Sequence, residues 1–506
     1  MRLKSYKSFI FLFLLILTKI LVFCYFTRLI SGLIESTIEE KLVKPTLTKP
    51  PRKKISELVT VLIREFEQHE NDITLTSHSF VNLFATMELF IIYDELPYPP
   101  PDIMLNNNTS PNIKFVKLSP ELRTNFADSY PISKIRTKYV LIVPDSTRLT
   151  SRQSLQTMVQ KLSSNPGSIV VTVVNNHKNN LSCLRMNINL REWTLKYDLI
   201  KSMICDGVSG KHVMLLETET LKKVSNAFLL PFPHSLYLQT ASLDLKVNII
   251  KGLSFHEGKP LFRSHHAQWK QKQTEALRIK KLYNIFKIKQ VKRETGLTEW
   301  YGCSKETSRC FGTVLDSMPS YLYDKRWTPP CCISNLRKTA KHVFGILEES
   351  GIRYWLEAGS LLGAMRSGDI LPWDHDVDIG FIREDLNRCE WLKKAKSRSV
   401  VDTKGFLWEK ATEGNFYRVH FSKTNKIHVN LFPFYSKNGT MARDSWYTTH
   451  KNMEFPENFL HPMSSIDFVG RNVPSPNNIR DFLELKFGKG SIEIPEYPDP
   501  SKLKFP

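Results

Sequence analysis

Between about residue 58 and residue 250 the chain repeats one pattern: a short apolar run, then a polar stretch compatible with helix. The runs are VTVLI at 59–63, LFIIY at 89–93, KFVKL at 114–118, YVLIV at 139–143, SIVVTVV at 168–174 and HVMLL at 212–216. Their β-branched and aromatic content suits strands, while 80–87 and 151–162 carry apolar positions at helical spacing. Strand and helix in alternation predict an α/β layer on a mainly parallel sheet.

The pattern changes after 250. Residues 269–292, WKQKQTEALRIKKLYNIFKIKQVK, set Ile279, Leu282, Ile285 and Phe286 on one helical face, which reads as a connecting helix whose basic face is solvated. A second domain, α+β in character, is expected from 295. Its helix at 335–350 aligns Leu336, Ala340, Val343, Phe344 and Leu347 and stops at Gly351. A strand at 352–358 then runs into Gly359-Ser360 and a helix start, LLGAMR. Free N–H groups at such a strand-to-helix corner suit a phosphate.

At the other end, residues 9–26 read FIFLFLLILTKILVFCYF, interrupted only by Thr18 and Lys19, near the lower length limit for crossing a bilayer core of ~30 Å. Arg2, Lys4 and Lys7 precede it and no small-residue cleavage motif follows. An uncleaved transmembrane signal anchor is expected, with 1–8 as a cytoplasmic tail and the body translocated. Residues 27–57 read as a proline-bearing stem or linker, 58–294 as an α/β stem domain with its basic connecting helix, and 295–506 as the catalytic domain.

The chain has 506 residues, room for about three domains, and a formal net charge of +21. That surplus favours anionic partners, and a translocated body directs it to acidic glycans or membrane and not to nucleic acid. The sequons at Asn107, Asn108, Asn180 and Asn438 then become glycosylation candidates.

Against the positive background, LPWDHDVDIG sets Asp374, Asp376 and Asp378 two residues apart. On a strand they share one face, with Val377 and Ile379 behind. Like charges at ~7 Å spacing raise one another's pKa unless a cation neutralises them, and oxygen ligands suit Mg²⁺ or Mn²⁺. Asp145, at the end of YVLIVPD, lies where nucleotide-sugar glycosyltransferases place a metal-binding acid, and the stem domain looks like that fold used as a scaffold. A lone acid after a strand is more often a turn or cap residue.

Of eight cysteines, Cys303, Cys310, Cys331 and Cys332 cluster. Two disulfides or one tetrahedral thiolate site for structural zinc both satisfy them. Cys183 and Cys205 are a further disulfide candidate.

Gly-Ser followed by acid-apolar-acid resembles the nucleotidyltransferase superfamily. That superfamily usually adds a third acid on a neighbouring strand, where HVNLF here carries Asn430. RYWLEAGSLLGAMRSGDILPWDHDVDIG, WEKATEGNFYRVHFS, HVNLFPFY, MEFPENFLHP and PNNIRDFLELKFGKGSIEIPEYPDP resemble the LicD-type phosphotransferases and, within them, the fukutin-related group. The resemblance implies transfer of ribitol 5-phosphate from CDP-ribitol to a ribitol-phosphate-bearing O-mannosyl glycan of α-dystroglycan, releasing CMP. It also implies a single-pass type II placement in the Golgi membrane with the catalytic domain lumenal, fukutin-like enzymes of the same pathway as partners, and a homo-oligomer through the stem domain.

Residue by residue, it assigns Asp374, Asp376 and Asp378 to the metal and Arg366 to catalysis and phosphate. Gly359, Ser360, Trp373, His375 and Val377 are assigned to the donor, with further contacts at Lys451, Asn452, Ile494, Pro495 and Glu496. It matches the four clustered cysteines to a small zinc-binding insertion at 303–332.

Overall fold

The computed structural model describes residues 18–27, 54–98, 100–105, 112–118, 130–175, 180–253, 255–309, 314–315, 318–444 and 454–494. Residues 1–54 and 55–506 are separate compact units. In the first, residues 18–27 are helical. The expected signal anchor is corrected here: among the described residues no helix is long and apolar enough to cross a membrane. Residues 18–27 span about 15 Å at ~1.5 Å per residue, half of a bilayer core, and residues 9–17 lie outside the described residues. The expected type II placement in the Golgi membrane loses the helix on which it rested.

In the second unit, eight strands form the stem sheet in the order Ile113–Lys117, Leu89–Tyr93, Val59–Ile63, Tyr139–Val143, His212–Glu217, Ile169–Val173, Val247–Ile250, Ile204–Cys205. The apolar runs are continuous because both sheet faces are covered. Leu62, Val140, Ile142, Met214 and Leu216 enter one core cluster. Their alternate neighbours Val61, Leu141, Val143, Val213 and Leu215 enter the other. The sheet is mainly parallel, as expected, with four of its seven pairings parallel, although His212–Glu217 runs antiparallel to both of its neighbours. Helix Arg152–Ser164 starts at Ser151, whose side chain accepts the Gln153 N–H. The helix expected at 80–87 is instead Ile73–Val81. Apolar residues beyond Val81, such as Phe84 and Met87, sit in the following turn.

The long basic helix is His265–Ile285, with only Leu282 and Tyr283 buried. It ends before the basic run does, because Gln290–Lys292 is drawn into a second sheet beside Thr194–Ile200. That sheet is built on a hairpin, Ser182–Asn189 with Thr194–Ile200. Cys183 and Cys205 are disulfide-bonded with Cα atoms 5.6 Å apart. The hairpin's turn residue, Trp193, is buried in the core of the C-terminal domain and not in that of the stem.

The C-terminal domain wraps helices around a sheet ordered Tyr354–Leu356, Asp376–Ile382, His428–Lys437, Tyr417–His420, Leu407–Lys410, Val400–Val401. Helix Pro330–Glu349 buries Leu336, Ala340, Val343, Phe344 and Leu347 against it, the face set by sequence periodicity. Trp355, Phe434 and Phe455 are fully buried together, each such phenylalanine contributing about 1.5–3 kcal/mol. The register pairs Trp355 with Gly380, where a Cβ would lie 2.4 Å from the indole ring. Glycine in this strand is therefore a packing requirement.

Candidate functional site

Strand Asp376–Ile382 runs parallel to His428–Lys437, with Asp376 opposite His428 and Asp378 opposite Asn430. Val377 and Ile379 are fully buried, so the two acids take the other face. The strand is held to the preceding corner through its own backbone. Glu357 N–H donates to the Asp378 carbonyl (3.0 Å), and Asp378 N–H donates to Ser360 Oγ (2.8 Å). Glu357 precedes helix Ala358–Ser367, and Ala358 adopts a left-handed φ of 46° at the turn.

Asp374 lies before the strand, not on it. Its N–H donates to the Leu371 carbonyl (2.9 Å), and its carbonyl accepts the Thr328 hydroxyl (2.6 Å). Thr328 N–H also bonds the Pro372 carbonyl, and its hydroxyl oxygen is 2.6 Å from Tyr321 OH. The Asp374 carboxylate accepts the His375 N–H (3.1 Å), while a Cβ at Gly359 would lie 2.8 Å from Asp374 Oδ2. Gly359 thus makes room for a carboxylate. The turn brings one ligand atom from each of Asp374, His375 and Asp376 within 4.8 Å of the others.

Between the two strand acids stands an amide. Asn430 Nδ2 donates to Asp376 Oδ2 (3.0 Å) and Asp378 Oδ1 (2.9 Å), and Arg418 Nε donates to Asn430 Oδ1 (3.2 Å). The acids remain partly accessible to solvent although protein surrounds most of each. Burial, then the charges of Asp376 and Asp378, push the Asp374 carboxyl well above the usual range. Burial and Asp376 push Asp378 up to about 8, against the Asn430 hydrogen bond. Asp376 is held low: burial opposes its charge, but His375, His428 and the Asn430 amide outweigh it. Burial lowers His428 to about 3, against the Asp376 charge, which favours its protonated form. One acid is thus ionised while two tend to keep protons, the signature of carboxylates short of positive charge. Two carboxylates and an imidazole offer a divalent cation both the donors and the neutralising charge, so the residues fit a metal.

The remaining expected residues lie as follows. Arg366 turns away from the acids: Nε bonds the Ile492 carbonyl (3.0 Å), and Nη2 bonds the carbonyls of Ser491 and Ile494 (2.9 Å to the latter). It fastens the exposed Ile494 segment to the end of helix Ala358–Ser367, and its guanidinium is engaged by carbonyls. Trp373 packs against the domain core. Lys451, Asn452, Pro495, Glu496, Cys310, Asn107 and Asn108 lie outside the described residues. Asn180 and Asn438 are exposed.

Cys303 and Cys331 are disulfide-bonded, Cα atoms 5.6 Å apart, with buried Cys332 next in sequence. A bonded pair has no thiolates to offer. Among the described residues, which exclude Cys310, these cysteines form no zinc cluster.

Sequence reasoning missed Glu357 and its partners. This buried carboxylate accepts Trp355 Nε1–H (2.8 Å) and is paired with the buried ammonium of Lys486 on helix Ile479–Phe487. Arg443, packed over the rings of Phe432 and Phe434 at 4.5 and 5.2 Å, adds positive potential at Glu357 and Asp378. An acid ending an apolar strand, WLEA, was the available signal for Glu357.

Comparison with known proteins finds two family models that match separate parts of the chain. Residues 46–294 match the family model of the fukutin-related protein stem domain, and 351–478 match that of the LicD/FKTN/FKRP nucleotidyltransferase domain. Ribitol 5-phosphate transferase FKRP of Mus musculus is 44% identical over 446 residues, covering 88% of this chain and 89% of that protein. The chain belongs to the fukutin-related protein family. The Homo sapiens FKRP is 43% identical over the same shares, so the likeness spans stem and catalytic regions together. The family is one of transferases with a nucleotidyltransferase domain, and its chemistry is metal-dependent in general. Among solved structures, CMP:2-keto-3-deoxy-manno-octonic acid synthetase complexed with CTP covers 44% of this chain and 99% of its own at 9% identity. Its TM-score of 0.25 is too low to carry an argument.

Proposed function

We propose that this chain transfers ribitol 5-phosphate from CDP-ribitol to a ribitol-phosphate-bearing O-mannosyl glycan of the α-dystroglycan type, releasing CMP. The observation that carries the reading is the convergence of Asp374, His375 and Asp376 beside the Gly359-Ser360 corner in a chain aligned with FKRP over 446 residues. The acceptor hydroxyl oxygen bonds to the ribitol-bearing phosphorus, the P–O bond to the CMP phosphate breaks, and CMP leaves with the bridging oxygen.

Asp374, Asp376 and His375 would hold a divalent cation, which when bound neutralises the diphosphate. The protein's own groups do the rest. The Gly359-Ser360 corner offers N–H groups at the start of helix Ala358–Ser367, Asn430 donates to both Asp376 and Asp378, and Arg443 adds positive charge beside Asp378. In this reading Asp378 takes the acceptor proton once a cation at the neighbouring acids favours its ionised form. In the same reading Trp373 and the residues at 451–452 and 494–496 contact the donor, while Val377 packs behind the acids and does not. Zinc on Cys303, Cys310, Cys331 and Cys332 belongs to the reduced protein alone, and metal content measured with and without reductant tests it.

Incubating the full chain with CDP-ribitol, CDP-glycerol and CDP-choline, each with a ribitol-phosphate-bearing acceptor and with or without EDTA, tests the function. CMP release from CDP-ribitol only, abolished by EDTA, is expected. Equal release from CDP-choline would sink the donor assignment.

A further inference from the structure

We propose that the buried Glu357–Lys486 pair is a positioning element of the donor site: helix Ile479–Phe487, through Lys486, holds the Gly359-Ser360 corner in shape. The proposal rests on the reading that this corner receives the diphosphate of CDP-ribitol.

The inward face of helix Ile479–Phe487 carries Phe482, Leu483 and Lys486. Helical spacing calls for an apolar residue at 486. A lysine stands there instead, 7% exposed, its Nζ 5.0 and 5.1 Å from the ring centres of Phe455 and Phe482. Its ammonium meets the carboxylate of Glu357, a residue 3% exposed. Withdrawing two charges from water is costly, and an apolar pair of similar volume often leaves a protein as stable or more so. What apolar packing does not supply is direction, since an ion pair fixes where one carboxylate points.

Direction matters at Glu357 because the corner begins there. Its carboxylate accepts Trp355 Nε1–H at 2.8 Å, its N–H donates to the Asp378 carbonyl at 3.0 Å, and its carbonyl accepts the Leu361 N–H at 3.3 Å. The next residue, Ala358, takes the left-handed φ of 46°, a conformation that a residue with a Cβ keeps only where its surroundings over-determine it. Gly359 and Ser360 follow, the first leaving room for the Asp374 carboxylate and the second accepting the Asp378 N–H at 2.8 Å. The chain beyond the C-terminal helix grips the other end of helix Ala358–Ser367, where Arg366 bonds the carbonyls of Ser491, Ile492 and Ile494. The corner helix is thus held at both ends by residues between 486 and 494.

The test compares the full chain with Lys486→Met, Glu357→Gln and the double variant Glu357→Gln/Lys486→Met. Each single variant leaves a buried polar group without its partner and should melt lower, whereas the double variant should melt near wild type. In the double variant, hydrogen exchange without ligand should run about tenfold or more faster at residues 357–361. Calorimetry should show CDP-ribitol bound about tenfold or more weakly, with KM raised by more than kcat is lowered. Wild-type exchange at the corner, or wild-type affinity for CDP-ribitol, in a double variant that melts normally overturns the proposal and leaves the pair a packing feature. If the double variant does not fold, exchange of the wild type in rising denaturant decides. Residues 357–361 and 479–487 opening together support the proposal, and independent opening overturns it. The functional reading fails separately: a corner loosened in the double variant, in a chain whose wild type does not bind CDP-ribitol, defeats the donor assignment and leaves the positioning role standing.

Discussion

Asp145 in the stem and Asp376 in the C-terminal domain are both acids at a strand end, and the chain treats them in opposite ways. Asp145 follows strand Tyr139–Val143, is 7% exposed, and accepts the N–H groups of Asp72 (3.1 Å) and Ser146 (2.6 Å). Its neighbour Asp72 is in turn bound by Arg148 and by the Lys259 N–H. That cluster is closed by protein donors and has no need of an added cation. Asp376 instead faces Asp374 and Asp378 with one neutral amide between the strand acids. A strand-end acid becomes a metal-site candidate where its neighbours are themselves acids, and a structural element where backbone amides already satisfy it.

The largest break in that comparison is Asp376→Ala. Transfer should fall roughly a hundredfold or more while the protein still folds cooperatively, because the cation loses a ligand. CMP release beside a melting curve measures both, and retained activity would falsify the metal assignment.

Trp193→Ala comes next and probes how the two regions are joined. Trp193 donates to the Trp327 carbonyl (2.7 Å) and meets Tyr321 edge-on, beside the loop whose Thr328 holds Asp374. A loss of about 3–5 kcal/mol is expected, with weaker metal binding in the protein that remains folded. Metal affinity equal to wild type would show that the hairpin does not position the site.

Asp145→Ala should cost about 2–4 kcal/mol by orphaning buried amides while leaving turnover per folded molecule unchanged. A loss of turnover in folded protein would give the stem acid a catalytic role and reverse the contrast. The same residue supplies a pH test. Burial raises its carboxyl to about 6 against the opposing amide bonds. A raised folded-state pKa contributes stability that is full below the unfolded value near 4 and is lost as pH rises through about 6. The stability gap between wild type and Asp145→Ala should therefore narrow by about 2 kcal/mol between pH 4 and pH 7, and chemical denaturation at several pH values reads it. A gap that widens with pH contradicts the burial argument.

The smallest effect is expected at Ala358, whose φ of 46° is costly for an L-residue with a Cβ. Ala358→Gly should stabilise by about 1 kcal/mol, visible as a higher melting temperature. No change would mean that the corner is relaxed in solution.

Much of the fold was legible because its causes are local. Runs such as YVLIV are apolar at every position since alternate residues serve two cores, and the periodic face of Pro330–Glu349 shows in sequence for the same reason. The Asp374–Asp378 cluster was legible because its spacing is its chemistry. The reversed sense of His212–Glu217 was not, since no residue of HVMLL encodes whether its partners run with it or against it. The expected anchor was read from apolar length, the basic residues before it and the lack of a cleavage motif, and the described helix, residues 18–27, is too short to span a bilayer.

What the sequence determined by itself is the inventory and its short-range order: which runs bury on both sides, where the acids crowd, where Gly359 leaves room, and which family the chain joins. What only the tertiary structure decided is which group each polar atom meets. Glu357 and Lys486 pair across 129 residues, Arg366 is claimed by carbonyls at 491–494, and Arg418 turns Asn430 into a donor. The physical reason is that burial periodicity is written in neighbouring residues, whereas the satisfaction of a buried charge depends on donors that folding brings from distant ones.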